Sequence, residues 1–153
     1  MKTLIAQIIA DLDVNLSYLQ WVRAIDNELL PPDGVAFPGV GVKDGDIDYE
    51  SHPGTRDKET LTITVVAYQS LLDGSPGAAI MGSAAEQGDA FKGLIEIAEE
   101  IRTRLNDNLF TAAFGEKIYW AHVDQVAASE TLSGDEGTFL QMKRLTVTYR
   151  RFS

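Results

Sequence analysis

Residues 60–68 constrain the fold more than any other stretch of the chain. Leu61, Ile63, Val65 and Ala67 alternate there with Thr60, Thr62 and Thr64. Successive side chains of a strand point to opposite faces. The run therefore predicts a strand with one apolar face toward a core and one hydroxyl face turned away. Half-buried strands of this kind belong to antiparallel sheets, whereas strands buried on both faces read as continuous apolar runs. Such a sheet needs a second layer on its apolar face only. Leu4, Ile5, Ile8, Ile9 and Leu12 fall at helical spacing and offer one layer element, with Thr3 as the predicted N-cap. Phe91, Leu94, Ile95, Ala98, Ile101 and Leu105 make a second, longer stripe. Glu96, Glu99, Glu100, Arg102 and Arg104 lie largely off it, and Asn106-Asp107-Asn108 ends it.

Further strands are predicted around these elements. Over 40–50 the second half alternates, with Asp44, Asp46, Asp48 and Glu50 on one side and Ile47 and Tyr49 on the other. This strand forms a hairpin with 60–68. Its tip, 51–59, contains Pro53-Gly54 and reads as polar and mobile. Residues 118–126 place Trp120, His122 and Asp124 on one face. Residues 139–152 place Leu145, Val147 and Tyr149 on one face, and 133–137 form a second polar tip. Residues 16–25 hold Tyr18, Trp21 and Val22 without a clean period. They read as a strand, with a second helix as the alternative. Pro31-Pro32 and Asp33-Gly34 make 27–41 a loop. Residues 70–88 are Gly-rich and form a connection with a short helical turn at 78–81. The order predicts an α+β fold in one domain over 1–153. It has a single antiparallel, at most mixed, sheet of four to five strands, with two main helices packed on one face.

Charge narrows the functional classes. Thirteen Lys and Arg stand against 23 Asp and Glu, a net charge of −10. Nucleic-acid binding draws its affinity largely from neutralising phosphates, so specific DNA binding is not expected. The absence of cysteine removes disulfides, thiol nucleophiles and Cys-type zinc sites. No apolar run approaches the roughly 20 residues of a membrane helix, so no membrane partner is expected. The opening Met1-Lys2-Thr3-Leu4-Ile5-Ala6 begins like a signal peptide, but Gln7 and Asp11 interrupt it; synthesis and residence inside the cell are expected.

Candidate chemistry is sparse, and no catalytic, cofactor or metal residue is assigned. His52 neighbours Pro53-Gly54 and reads as a solvated loop residue. His122 could couple to Asp124 two residues on, but no serine stands in a nucleophile motif. The run Asp44-Gly45-Asp46-Ile47-Asp48-Tyr49-Glu50 supplies the hard oxygens calcium favours. It fails the EF-hand template, with Tyr49 at the sixth position in place of Gly and Thr55 at the twelfth in place of Glu. It reads better as an acidic strand face. Gly39-Val40-Gly41 lacks the remaining elements of a phosphate loop. Lys143, Arg144, Arg150 and Arg151 crowd the last strand. They read either as an edge guarded by charge or, with Arg56, as a contact surface for an acidic neighbour. A second copy of the chain would be such a neighbour.

Taken together, Leu30-Pro31-Pro32-Asp33, the stretch from Phe37-Pro38-Gly39 through Lys43-Asp44-Gly45, and the strand over 60–68 resemble the phage tail terminator or tail-completion family. That family includes minor tail proteins and related head–tail joining proteins. The helix around Gly93-Leu94-Ile95-Glu96 and the closing Leu145-Thr146-Val147-Thr148-Tyr149 occupy the matching places, so the likeness runs from Leu4 to Phe152. The resemblance implies a non-enzymatic virion or prophage protein found in the virion tail and, during assembly, in the host cytoplasm. It would form a homo-oligomeric ring, a hexamer, on the end of the tail tube. The ring would end tail polymerisation and present a surface to the head-completion or connector protein. Its partners would be itself, the tube protein and that connector, without cofactor. Asp44, Asp46, Asp48 and Glu50 are the expected channel lining. A tube or head-closure protein of the same fold group is the nearest alternative, and a small ligand-binding or enzymatic domain the alternative of another class.

An acidic channel that lets a genome pass should not hold it. The unmodified protein is expected to show no measurable binding to duplex DNA near physiological salt. Submicromolar binding with a steep salt slope in a fluorescence titration would contradict the acidic lining.

Overall fold

The computed structural model describes residues 1–51, 57–70, 76–82, 92–133 and 139–152. The chain runs α1 (Lys2–Asn15), β1 (Trp21–Ala24), β2 (Gly39–Glu50), β3 (Lys58–Ser70), α2 (Pro76–Met81), α3 (Leu94–Leu105), α4 (Thr111–Phe114), β4 (Ile118–Val126), β5 (Glu130–Ser133) and β6 (Phe139–Phe152). The strands form one six-stranded sheet in the order β1-β2-β3-β6-β4, with β5 also on β6. All pairs are antiparallel except β1–β2, which is parallel. The fold is thus α+β with a mixed sheet, as the order of elements predicts, and has one strand more than the upper expectation. β4 pairs only with Leu145–Arg151 of β6, which leaves the other half of that 14-residue strand free. The returning chain fills the vacancy. Ala127 N donates to Arg144 O at 2.8 Å, and β5 then pairs from Glu130↔Met142 to Ser133↔Phe139.

α1 and α3 cover one face of the sheet, here the inner face. The buried stripe of β3, Leu61, Ile63, Val65 and Ala67, packs there with Leu145, Val147 and Tyr149 of β6 and Val40 and Val42 of β2. Leu4, Ile8 and Leu12 of α1 and Leu94, Ile97, Ala98, Ile101 and Leu105 of α3 close over them. Two details of the helices differ from expectation. α1 starts at Lys2 with Met1 as N-cap, so Thr3 lies inside its first turn. Along α3 the core takes Ile97, while Ile95 stays 40% exposed. Position 97 stands three after Leu94 and four before Ile101, nearer the centre of the apolar stripe. Phe91, expected on that stripe, lies outside the described residues, as do most of the tips expected at 51–59 and 133–137 and most of the 70–88 connection. Lys58 and Glu59 already belong to β3, and Ser133 to β5.

Polar links fix α1 and the segment after it to α3. Arg104 donates from Nε to Asp11 Oδ2 at 3.1 Å and from Nη2 to Asp11 Oδ1 at 2.7 Å. Tyr18 OH donates to Glu100 Oε2, and Lys92 Nζ lies 2.6 Å from Glu100 Oε1 and 4.3 Å from the centre of the Tyr18 ring. Burial first, and then the bond to Glu100, pushes the Tyr18 phenol above its ordinary pKa.

Only four residues of the ambiguous 16–25 segment become strand. β1 runs beside β2 in the register Trp21↔Gly39 to Ala24↔Val42. Glycine at 39 makes this possible. A Cβ there would lie 2.0 Å from Trp21 Cε2, so the indole can lie flat on β2 only because none exists. Gly39→Ala is therefore expected to displace the ring and destabilise the fold by about 1–3 kcal/mol, the usual range for overpacking. The check is a thermal melt with tryptophan emission; an unchanged midpoint would show that the ring has room.

Candidate functional site: the outer face of the sheet

The face turned away from α1 and α3 has two halves of different character. Residues directly opposite in a ladder share a face, so the register arranges this face in rows. One row is Asp48, Thr60, Arg150 and Trp120; the next holds Thr62, Thr148 and His122; a third holds Lys43, Thr64, Thr146 and Gln125. These rows form an open surface of partly exposed hydroxyls. At its β4 margin Trp120 is 45% exposed. The Arg150 guanidinium lies 5.4 Å from the centre of the indole, and the His122 ring 5.9 Å from it. Thr148 Oγ1 donates to Asp124 Oδ2.

At the other half the alternation of β3 stops. Val66 and Tyr68 point outward yet are buried, with Trp21 and Met142. Residues 25–38 cross the face as a strap and cover them with Ile25, Val35 and Phe37. Side chains of the sheet make polar contacts that hold the strap. Trp21 Nε1 donates to Ala36 O at 2.9 Å, Tyr68 OH donates to Glu28 O at 2.6 Å, and Arg144 Nε lies 3.0 Å from Glu28 Oε1. Arg144 also reaches Glu130 Oε2 at 3.2 Å through Nη2, so one guanidinium joins the strap to β5. Burial, and then the Glu28 carboxylate, pushes the Tyr68 phenol above its ordinary pKa. Beside the strap a groove of about 470 Å³ is lined by Ala24, Ile25, Asp26, Leu30 and Pro32. One carboxylate among apolar groups does not make a convergent polar site.

The structure divides the residues that the sequence groups together. Of the basic set, Arg144 and Arg150 lie on the outer face. Lys143 and Arg151 lie on the inner one, because the strand alternates through them. Arg144 is held by Glu28 and Glu130, and Arg151 Nε lies 2.6 Å from Glu59 Oε2 of the facing strand. Arg150 alone of these four stands beside an exposed aromatic. Arg56 lies outside the described residues.

The expected single acidic face is also corrected. A bulge between Asp44 and Ile47 breaks the alternation, so Asp44 lies opposite inward-facing Ile63 and Asp48 opposite outward-facing Thr60. Gly45 sits in that bulge, where a Cβ would lie 2.4 Å from Thr62 O. Asp44, Asp46, Asp48 and Glu50 thus line a stretch of β2 and not one face of it. That stretch is a sheet edge, since β1 pairs only with Gly39–Val42. A bulge and repeated like charges are the usual guards of an exposed edge against strand addition.

Chemically, the outer face offers stacking, hydrogen bonding and charge on a shallow surface. The His122–Asp124 couple considered from spacing forms no hydrogen bond; Asp124 accepts one from Thr148. Among the described residues no group of three or more His, Cys, Asp or Glu could hold a metal ion, and no helix is long and apolar enough to cross a membrane. Sequence reasoning missed Glu28 as the strap's anchor and Arg150 as the partner of Trp120. The second was within reach, since both fall on outward positions of neighbouring strands.

Loss of the Arg144 side chain should free the strap without unfolding the sheet. Arg144→Ala is expected to cost about 1 kcal/mol, because the pairs it breaks are partly exposed, and to speed amide exchange over residues 27–30. Exchange there unchanged from the parent would show that Tyr68 and Trp21 hold the strap unaided. No family model matches the chain, and no curated protein matches it.

Proposed function

We propose that the protein is a structural, tail terminator-like component of a phage or prophage. In this reading it assembles as a homo-oligomeric ring, a hexamer, on the end of a tail tube. It stops tube growth and offers its free side to the head connector. The observation that carries the reading is the one-sided cover of the sheet. Helices bury the centre of the inner face, with Leu61, Ile63, Val65, Leu145 and Val147 beneath them, while over half of the outer face Thr60, Thr62, Thr64, Thr146 and Thr148 are partly exposed, with Trp120 exposed beside them. A surface that is wide, polar and edged by an aromatic suits a protein partner better than a small molecule, which needs a concavity. The likeness of residues 4–152 to tail-completion proteins supports the same reading. So does the separation of an acidic edge at β2 from an aromatic, cationic margin at β4, since unlike patches on one subunit join head to tail and close into rings where the rotation between copies permits.

Negative-stain imaging of the purified protein with tail tubes, paired with light scattering, tests this. The expected result is a single ring at tube ends and an arrest of tube extension. Continued polymerisation of the protein itself would assign it to the tube, and absence from tube ends would remove the reading.

A further inference from the structure

We infer that Trp120 and Arg150 anchor the contact between neighbouring copies of this chain, and that they dock on the Asp46–Asp48 edge of β2 in the next copy. The inference rests on the ring reading and names the surfaces that would build the ring.

Trp120 and Arg150 are the residue types that carry most interface energy. Both are exposed, and they touch each other at 5.4 Å. Tyr119, 39% exposed and 4.7 Å from the Phe152 ring, extends the same patch. Such a concentration of exposed aromatic surface beside a cation is unusual for a solvated strand edge, where Lys and Glu are the common guards. The opposite edge supplies the complement. Asp46 and Asp48 are exposed and form no ion pair among the described residues.

The two patches lie on the two sides of one sheet, in the order β1-β2-β3-β6-β4. A contact between them is therefore heterologous and repeats from copy to copy. Backbone pairing between these edges is obstructed at both sides. The β2 edge carries the bulge. The middle of β4 is taken by the turn that follows α3, where Asp107 N donates to Ala121 O at 2.9 Å and Val123 N donates to Asn106 Oδ1 at 3.0 Å. The contact must then be made by side chains, and one guanidinium facing two carboxylates makes it sensitive to salt.

The test is sedimentation equilibrium of the full chain up to high concentration, with circular dichroism to confirm folding of each variant. The unmodified chain should self-associate. Trp120→Ala and Arg150→Glu should each weaken association by about thirtyfold or more, the size of a hot-spot truncation. Asp46→Lys with Asp48→Lys in one chain should do the same. An equimolar mixture of the Arg150→Glu chain and the Asp46→Lys/Asp48→Lys chain should associate again, because each supplies the patch the other lacks. An unmodified chain that stays monomeric throughout, variants as strong as the parent, or a mixture no stronger than its parts would each overturn the contact. Imaging the Arg150→Glu chain on tail tubes separates the two levels. Normal rings there would sink this contact and leave the ring reading standing, while absence of the unmodified chain from tube ends would sink the reading itself.

Discussion

The architecture depends on how β3 is buried. Its inner side is covered along the whole strand, but its outer side is covered only from Val66 onward. Up to Thr64 the strand is amphipathic and its outward hydroxyls meet solvent. Beyond that point it is buried on both faces, and something other than a helix must provide the second cover. The strap does so, and several local features follow from that need. Gly39 clears space for Trp21. Pro31-Pro32 keeps the strap out of the ladder. Tyr68 is long enough to bridge from the sheet to the strap's backbone at Glu28. Burying a phenol costs free energy unless its hydroxyl finds a partner, so the strap's carbonyl is part of the core's own stability.

That change of pattern is written in the chain as Thr64-Val65-Val66-Ala67-Tyr68, where alternation gives way to a continuous apolar run. It could have been read as a signal for a second cover, and with it the loop over 27–41 becomes a packed segment. The inner layer was easier to read. Period-two alternation and two helical stripes have few competing explanations. β1 was less legible, because four residues are too short to establish a period and their pairing depends on a glycine 18 positions away. β5 was illegible for a different reason. Glu130 to Ser133 has no strand-like pattern and forms because β6 is longer than β4 and offers it an unpaired edge.

Spacing misled most where a bulge intervenes. Asp44, Asp46, Asp48 and Glu50 alternate perfectly in sequence, yet the one-residue register shift before Ile47 leaves Asp44 on the helix side and Asp48 on the other. Gly45 gives the local hint, since glycine inside a strand often marks a bulge or a close backbone approach. The basic cluster fails for the opposite reason. Lys143 and Arg144 are neighbours in sequence and therefore point to opposite faces of the sheet, as do Arg150 and Arg151. A charge count along a strand overstates the charge on either face about twofold. What remains on the outer face near β4 is one available guanidinium, and its neighbour is an indole.

Acids on the β2 edge and a cation–aromatic pair on the β4 margin are thus separated by the width of the sheet, and each has a reason independent of the other. The acids keep an unpaired edge from adding a strand, which any soluble sheet must do. Trp120 has no such defensive use. An exposed indole is a cost in a monomer, because it leaves apolar area in water and invites unspecific contact. Arg150 moderates that cost by lying over the ring, but an arginine stacked on an indole is also a preorganised anchor, since its side chain loses less freedom on docking than a mobile one would. A guarded edge tolerates approach by a cation while it refuses another strand. The same acids can therefore prevent open-ended sheet growth and accept one defined neighbour, which is the combination of properties that a closed ring requires and an indefinitely extending sheet does not.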